Sequence, residues 1–77
     1  MITIIYTAQV ENIAVASTKV RTVSDASDVL YMVLTSHYKD ADKARVDANS
    51  LERAFKDRKC RRFSLSQHGD FTITVTR

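Results

Sequence analysis

The segment KDRKCRRFSLSQ, residues 56–67, contains the side chains best suited to contact a charged partner. Five cations fall within seven positions around a single cysteine: Lys56, Arg58, Lys59, Arg61 and Arg62. Such a cluster can neutralise the phosphates of a nucleic acid. It can equally pair with carboxylates on an acidic protein surface, where arginine forms bidentate hydrogen bonds. A third interpretation is a set of solvated charges at a helix C-terminus, where the helix dipole favours cations.

Neighbouring acids determine how much of this cluster is free to bind. Glu52 stands four residues before Lys56, which favours an ion pair along one helix face. Asp57 is close in sequence to Arg53 and Arg61, and pairing there would weaken the patch. The sequence has no zinc-knuckle spacing and no GXXG loop, and its phenylalanines near the cluster fall at buried positions where they cannot stack on bases. We therefore expect a protein surface as the leading partner and nucleic acid as the alternative.

Few residues have the spacing that catalysis or metal binding requires. Cys60 has cationic neighbours of the kind that activate a thiol, but nothing local places His37 or His68 beside it as a base. The same three residues lack the paired spacing of structural zinc sites. Asp40 and Asp42 resemble the start of a calcium loop, but the required glycine and the final glutamate are missing. With one glycine in the chain, a Gly-rich phosphate loop is excluded, so we expect no enzymatic activity, metal or cofactor.

Composition indicates a small globular protein that forms one domain over residues 1–77. Hydrophobic residues make up 44% of the chain and charged residues 27%, which is enough apolar material for a core. The formal charge of +3 is mild for a dedicated nucleic-acid binder. A single cysteine cannot form an internal disulfide, and no apolar run approaches the length of a membrane span. The N-terminal segment lacks the charged start and the continuous apolar core of a signal peptide. These features predict a cytoplasmic protein without a membrane partner.

The elements that must position the cluster begin with a predicted hairpin over residues 2–23. Apolar and polar residues alternate in the first strand, and the inward side of the second is predicted to carry small residues. Pairing like faces puts Val10 opposite Ala14 and Ile4 opposite Val20. Residues 11–13 then form the loop.

A second hairpin is predicted over residues 61–77 by the same alternation. Its register places Leu65 opposite Ile73 and leaves residues 68–70, which include the only glycine, as the loop. The inward residues are Phe63, Leu65, Phe71, Ile73 and Val75, and the outer face carries Thr72, Thr74 and Thr76.

The region between the hairpins, residues 25–59, contains neither glycine nor proline and is predicted to be helical. Ser24 or Asp25 is the expected cap of the first helix, and Asn49 in NSLE the expected start of the second. The polar link over residues 39–48 is expected to be a loop or a short turn. At helical spacing, one arc of the first helix holds Ala26, Val29, Leu30, Val33, Leu34 and His37, and the second helix buries Leu51, Ala54 and Phe55.

The first helix is also apolar around its whole circumference over VLYMVL, residues 29–34, so one buried face cannot cover all of it. Tyr31 and Tyr38 lie together just beyond the buried arc, and Met32 points away from it. We take Tyr31 and Tyr38, with Met32 beside them, as further partner-binding residues. The alternative is that residues 39–48 cover them.

Together these patterns predict an α+β fold, a small ββααββ two-layer domain in which a four-stranded antiparallel sheet carries helices on one face. The expected function is that of a small non-enzymatic binding protein that inhibits a protein or nucleoprotein complex by docking on its acidic surface. Phage-encoded inhibitors of host defence, such as anti-CRISPR proteins, are an analogy for this mode of action. One alternative is nucleic-acid binding through the cluster together with Lys19 and Arg21. Another is a homodimer formed through a free sheet edge.

Overall fold

The computed structural model describes residues 1–8, 13–67 and 70–77, with positions 8 and 13–15 described by backbone alone. The elements follow the predicted ββααββ order, and the α+β class is confirmed. Their bounds are β1 Ile2–Ala8, β2 Ile13–Val20, α1 Val23–Tyr38, α2 Ala41–Phe55, β3 Arg62–Gln67 and β4 Phe71–Thr76.

The four strands form one antiparallel sheet in the order β2-β1-β4-β3. The first and last strands of the chain therefore pair at the centre, with Ile4 opposite Val75 and Tyr6 opposite Ile73. Each hairpin contributes one central strand and one edge strand, so β2 and β3 are the sheet edges. This order was not predictable from either hairpin alone.

The register of the C-terminal hairpin is confirmed. Leu65 lies opposite Ile73, and Phe63 lies opposite Val75. Strand β3 ends at Gln67 and β4 begins at Phe71, which leaves three positions between them. Of the predicted loop residues, Asp70 occupies the turn, and positions 68 and 69 lie outside the described residues.

The predicted register of the N-terminal hairpin is wrong. Ile4 lies opposite Thr18, and Val20 lies opposite Ile2. From Ile2 to Tyr6 the predicted and observed pairings differ by two positions, and alternation with a period of two gives these β1 residues inward-facing partners in both. A bulge between Tyr6 and Thr7 then shifts the register by one further residue. Position 13, predicted in the loop, begins β2, and positions 10–12 lie outside the described residues.

Helix α1 begins two or three residues earlier in sequence than expected. Its N-cap is Thr22, whose hydroxyl accepts a 3.0 Å hydrogen bond from the Asp25 N–H, so Ser24 and Asp25 lie inside the first turn. The predicted buried arc is confirmed: Ala26, Leu30 and Leu34 are fully buried, and Val29, Val33 and His37 are half-buried.

The second helix is much longer than predicted, because residues 41–48 are helical and Asn49 is an exposed residue within α2. Two residues reverse the direction of the chain between α1 and α2. Lys39 ends α1 with a left-handed φ of 55°, and Asp40 caps α2 by accepting from the N–H groups of Asp42 and Lys43 at 3.1 and 3.2 Å.

Small residues in the supposed link explain the longer helix. Ala44 and Ala48 are fully buried, which allows α2 to lie close to α1. The buried Ser27 hydroxyl of α1 donates to the Ala48 carbonyl of α2 at 3.2 Å. Close packing of two helices uses small side chains, which carry no strong apolar signal in the sequence.

Both helices pack on one face of the sheet, and the hydrophobic core lies between the two layers. Its largest fully buried side chains are Phe71, Leu30, Leu34, Leu51 and Ile73. No described element packs against the other side of the sheet, here called the free sheet face. By register it carries Thr3, Ile5, Thr7, Ser17, Lys19, Arg62, Ser64, Ser66, Thr72, Thr74 and Thr76. Within the described ranges, neither helix has the length and apolar character needed to cross a bilayer.

Candidate interaction surface

The cation-rich cluster lies in the connection from α2 to β3, and Asp57 organises that connection. The Asp57 carboxylate accepts from the Lys59 N–H at 2.9 Å, and its carbonyl accepts from the Cys60 N–H at 3.0 Å. The Asp57 N–H in turn donates to the Ala54 carbonyl at 3.3 Å. The chain therefore reverses through local hydrogen bonds directly after the helix ends.

Arg77, at the end of the chain, ties this connection to the sheet. Its guanidinium donates to the carbonyls of Phe55, Asp57 and Cys60 at 3.1, 2.6 and 2.8 Å. It also lies 4.6 Å above the Phe55 ring. The last carbonyls of a helix have no partner within the helix, and a cation there also suits the negative end of the dipole. Arg77 thus holds the backbone of the connection in one conformation.

Sequence reasoning missed Arg77, although a clue was present. The C-terminal register places Thr76 opposite Arg62, so the next residue of the chain lies beside Arg61. The Arg77 N–H indeed donates to the Arg61 carbonyl at 3.0 Å. A correct register was therefore enough to bring the terminal arginine to the cluster.

The cations of the cluster are exposed and form no ion pair with a described carboxylate. The expected pairs of Glu52 with Lys56, and of Asp57 with a neighbouring arginine, do not form. Within the described ranges the one carboxylate within 4.0 Å of a basic side-chain nitrogen is that of Asp70, 3.4 Å from His37 Nδ1 at the opposite end of the sheet. We call this exposed set the cationic corner; it consists of Lys56, Arg58, Lys59, Arg61 and Arg62.

The cationic corner continues onto the free sheet face. Arg62 is opposite Thr76, Thr76 is opposite Thr3, and Thr3 is opposite Lys19, so the two cations occupy one row across all four strands. Arg21 follows directly after β2 and is exposed. The register therefore places Lys19 and Arg62 on one face, at opposite edges and at the same end of the sheet.

Tyr31 and Tyr38 are half-buried, and residues of α2 cover them. The Arg45 guanidinium lies 3.9 Å above the Tyr31 ring, and the Lys43 ammonium lies 4.4 Å above the Tyr38 ring. Burial, followed by a hydrogen bond and charge repulsion from Asp47, raises the pKa of Tyr38 from 10.0 to about 12. Both tyrosines thus have partners within the molecule.

Met32 is the member of that trio that remains open to solvent, with 71% of its surface exposed. It lies on the rim of a groove between α1 and the edge strand β2. The groove has a volume of about 390 Å³ and is lined by Tyr6, Ala16, Met32, Val33, Ser36 and His37. Its walls are mainly apolar, and its polar groups are the Tyr6 hydroxyl, the Ser36 hydroxyl and the His37 ring.

Tyr6, His37 and Asp70 form a chain of polar contacts that the sequence did not predict. The Tyr6 hydroxyl is 2.9 Å from His37 Nε2, and His37 Nδ1 is 3.4 Å from an Asp70 carboxylate oxygen. The His37 ring also packs against Phe71, with 4.4 Å between ring centroids. These side chains come from β1, α1 and the β3–β4 turn, so only the tertiary fold brings them together. The Tyr6–His37 contact is a hydrogen bond, and the longer His37–Asp70 contact brings a carboxylate beside the ring.

The other groups considered for catalysis are dispersed. Cys60 is half-buried, and its thiol lies 3.4 Å from the Arg62 carbonyl. His37 is at the opposite end of the sheet, and position 68 lies outside the described residues. Across the described part of the chain, no three His, Cys, Asp or Glu side chains are grouped so as to hold a metal ion.

Comparison with known proteins places the chain in no family: it matches no protein-family profile, and it is significantly similar to no curated protein and no solved structure.

Proposed function

We propose that this chain is a non-enzymatic binding protein that docks through its cationic corner on an anionic surface of a larger protein or nucleoprotein complex. It inhibits that complex by occupying the surface. A phage-type inhibitor of a host nucleoprotein machine, such as an anti-CRISPR protein, would act in this way. The leading partner is an acidic protein surface.

The observation that carries this proposal is the absence of internal partners for the corner. All five cations are exposed, and none pairs with a carboxylate of the described residues. Unpaired charges of one sign accelerate encounter with a surface of the other sign and define the docking orientation. Three of the five are arginines, which form bidentate pairs with carboxylates or phosphates.

The backbone beneath the corner supports the same conclusion. Arg77 binds three carbonyls of the connection, so the backbone that carries Arg58 and Lys59 is already ordered before binding. A preorganised segment loses less conformational entropy on association than a flexible one. Tyr31 and Tyr38 are covered by α2 and are not part of the contact set that we propose.

Direct binding of nucleic acid is the second candidate, because one observation favours it specifically. Lys19 extends the corner across the sheet in the same row as Arg62. A row of cations across a sheet suits a polymer with regularly spaced phosphates.

Charge reversal at the corner tests the proposal. We expect Arg61→Glu with Arg62→Glu to weaken binding to a labelled poly-glutamate peptide and to labelled nucleic acid at least about tenfold, equal to about 1.4 kcal/mol. Lys39→Glu with Lys43→Glu is the matched control, since it changes the net charge equally at the far end of the helical layer. Fluorescence anisotropy measures both affinities. Equal weakening by the two double variants, or no binding of either probe at low salt, would overturn the proposal.

A further inference from the structure

We propose that the free sheet face is a docking surface for the phosphodiester backbone of a double-stranded nucleic acid. This inference rests on the second candidate of the proposed function, direct binding of nucleic acid, and names that nucleic acid as a duplex. It adds a second surface to the cationic corner, with Lys19 and Arg62 at the end where the two surfaces meet.

The first observation is the distribution of charge between the two layers. The four strands contain two charged residues, Lys19 and Arg62, and no carboxylate. Six of the nine acids of the chain lie in the helices or at the α2 cap: Asp25, Asp28, Asp40, Asp42, Asp47 and Glu52. The preference of threonine for strands explains the threonines of the sheet. It does not explain why acids are confined to the other layer and to the connections.

The second observation is the lining of the face. Its central row runs from Ser17 through Ile5 and Thr74 to Ser64, so three of four side chains carry a hydroxyl. The hydroxyls of Thr3, Ser64, Thr74 and their neighbour Thr76 form no hydrogen bond with another described residue. Serine and threonine hydroxyls are common donors to phosphate oxygens. The face therefore offers neutral donors beyond its two cations.

The third observation is spacing. Neighbouring strands lie about 4.8 Å apart, so three intervals put the backbones of Lys19 and Arg62 roughly 14 Å apart. The major groove of B-form DNA is about 12 Å wide. Two long side chains at this separation can reach phosphates on both walls of one groove.

The side chains of the free sheet face also favour a duplex over a single strand. Proteins that hold single strands place exposed aromatic rings where bases can stack. The free sheet face carries no aromatic side chain, since Tyr6, Phe63 and Phe71 all occupy the parity that faces the helices. A duplex presents its phosphates outward and keeps its bases stacked inside, so it needs no such platform. Binding of this kind does not depend on base sequence.

The experiment measures anisotropy of a short labelled DNA duplex of mixed sequence, and of one of its strands, from about 50 to about 200 mM salt. We expect the duplex to bind more tightly than the single strand. In Lys19→Ala, the slope of log affinity against log salt should fall by about 0.9, the value for one lost phosphate contact. Thr74→Val, at the centre of the face, should weaken binding a few-fold at constant salt. Lys39→Ala, at the far end of the helical layer, should leave the slope unchanged.

The outcomes separate this inference from the proposed function. Duplex binding that depends on Arg58 and Lys59 but not on Lys19 would overturn the inference and leave docking through the corner intact. So would binding to poly-glutamate without binding to the duplex. Single-strand affinity equal to or above that of the duplex would also overturn it. Binding to none of the probes would overturn both proposals. Circular dichroism of each variant confirms that a lost affinity is not a lost fold.

Discussion

The two ends of the sheet hold their polar side chains in opposite ways. At the end formed by Tyr6, His37, Asp70 and Phe71, here called the closed end, titratable groups contact one another and pack on an aromatic ring. At the cationic corner, five charges face solvent without a described carboxylate partner.

The difference shows which polar groups are available to a partner. Groups that are satisfied internally stabilise the fold, and removing one leaves its partner unsatisfied. Groups that face water contribute little to stability, so the energy of binding can be gained there without a loss of folding energy. Mutations at the closed end should therefore change stability, and mutations of the corner cations should change binding.

Phe71→Ala should give the largest effect. Phe71 is fully buried and contacts the rings of Tyr6, His37 and Tyr38, so its removal should lower the free energy of unfolding by about 3–5 kcal/mol. Urea denaturation followed by circular dichroism measures the change. Phe63→Ala is the control, because Phe63 has the same parity on an edge strand but is only half-buried. An equal loss of unfolding free energy in both variants would contradict the distinction between the closed end and the rest of the helix-facing side of the sheet.

Arg77→Ala should have the next largest effect, because the Arg77 guanidinium is engaged with the backbone of the connection after α2. It would leave three carbonyls without their donor, and the hydrogen bonds of a charged group contribute about 1.5–3 kcal/mol. Arg58→Ala, which removes an exposed side chain of the same type, should change stability by no more than about 0.5 kcal/mol. Thermal melts of the two variants would contradict this account if their midpoints coincided.

Asp40→Ala tests the reversal between the helices at the closed end. Loss of its cap to the N–H groups of Asp42 and Lys43 should cost about 1 kcal/mol. Asn49→Ala is the comparison. If α2 began at Asn49, as the sequence predicted, this variant would lose the helix cap and Asp40→Ala would not. Because Asn49 is an exposed residue within α2, its replacement by a better helix former should not destabilise the protein. A larger loss at Asn49 than at Asp40 would contradict the observed start of α2.

Tyr38 should give the most local effect, a dependence of stability on pH that is confined to the alkaline range. Its pKa is about 12 in the folded protein and 10.0 when unperturbed, so the folded state disfavours the tyrosinate. Folding should accordingly be favoured below pH 10 and lose stability as the pH rises from about 10 through 12. Tyr38→Phe should remove this component of the loss, as measured by urea midpoints across that range.

Asp47→Asn separates the causes of that pKa. Burial is the largest cause, and the hydrogen bond and the charge of Asp47 add to it. The variant should therefore lower the pKa of Tyr38 while leaving it above 10.0, as followed by tyrosinate absorbance. A pKa at or below the ordinary value would show that Asp47, rather than burial, is the main cause.

Much of the fold could be predicted from the periodicity of apolar residues and from the residues that form turns. Alternation identified all four strands and the register of Leu65 with Ile73, because a three-residue loop at the only glycine limits the possible pairings. The N-terminal register failed because two alignments that differ by two residues bury the same faces, and the bulge at Tyr6 leaves no trace in the pattern. Helix α2 was shortened because Ala44 and Ala48 are buried for their small size.

The candidate site, too, has parts that could be predicted from the sequence and parts that could not. The cationic corner was evident from composition, since charged side chains in a connection between elements tend to be exposed. The covering of Tyr31 by Arg45 and of Tyr38 by Lys43 followed only from the true length of α2, although cover by residues 39–48 had been an open alternative. The contacts of Tyr6 with His37 and of His37 with Asp70 join residues far apart in the chain, and no local pattern indicates them.

By itself the sequence determined the kinds of element, their order and the location of the cationic cluster. Those properties depend on neighbours a few residues away, through alternation, helical spacing and capping. Tertiary structure alone decided that β1 and β4 pair at the centre, that Arg77 closes the connection after α2, and that Lys19 and Arg62 share a row. Each of these joins segments separated by most of the chain, and such pairings are chosen by the fit of the whole core, which local sequence does not encode.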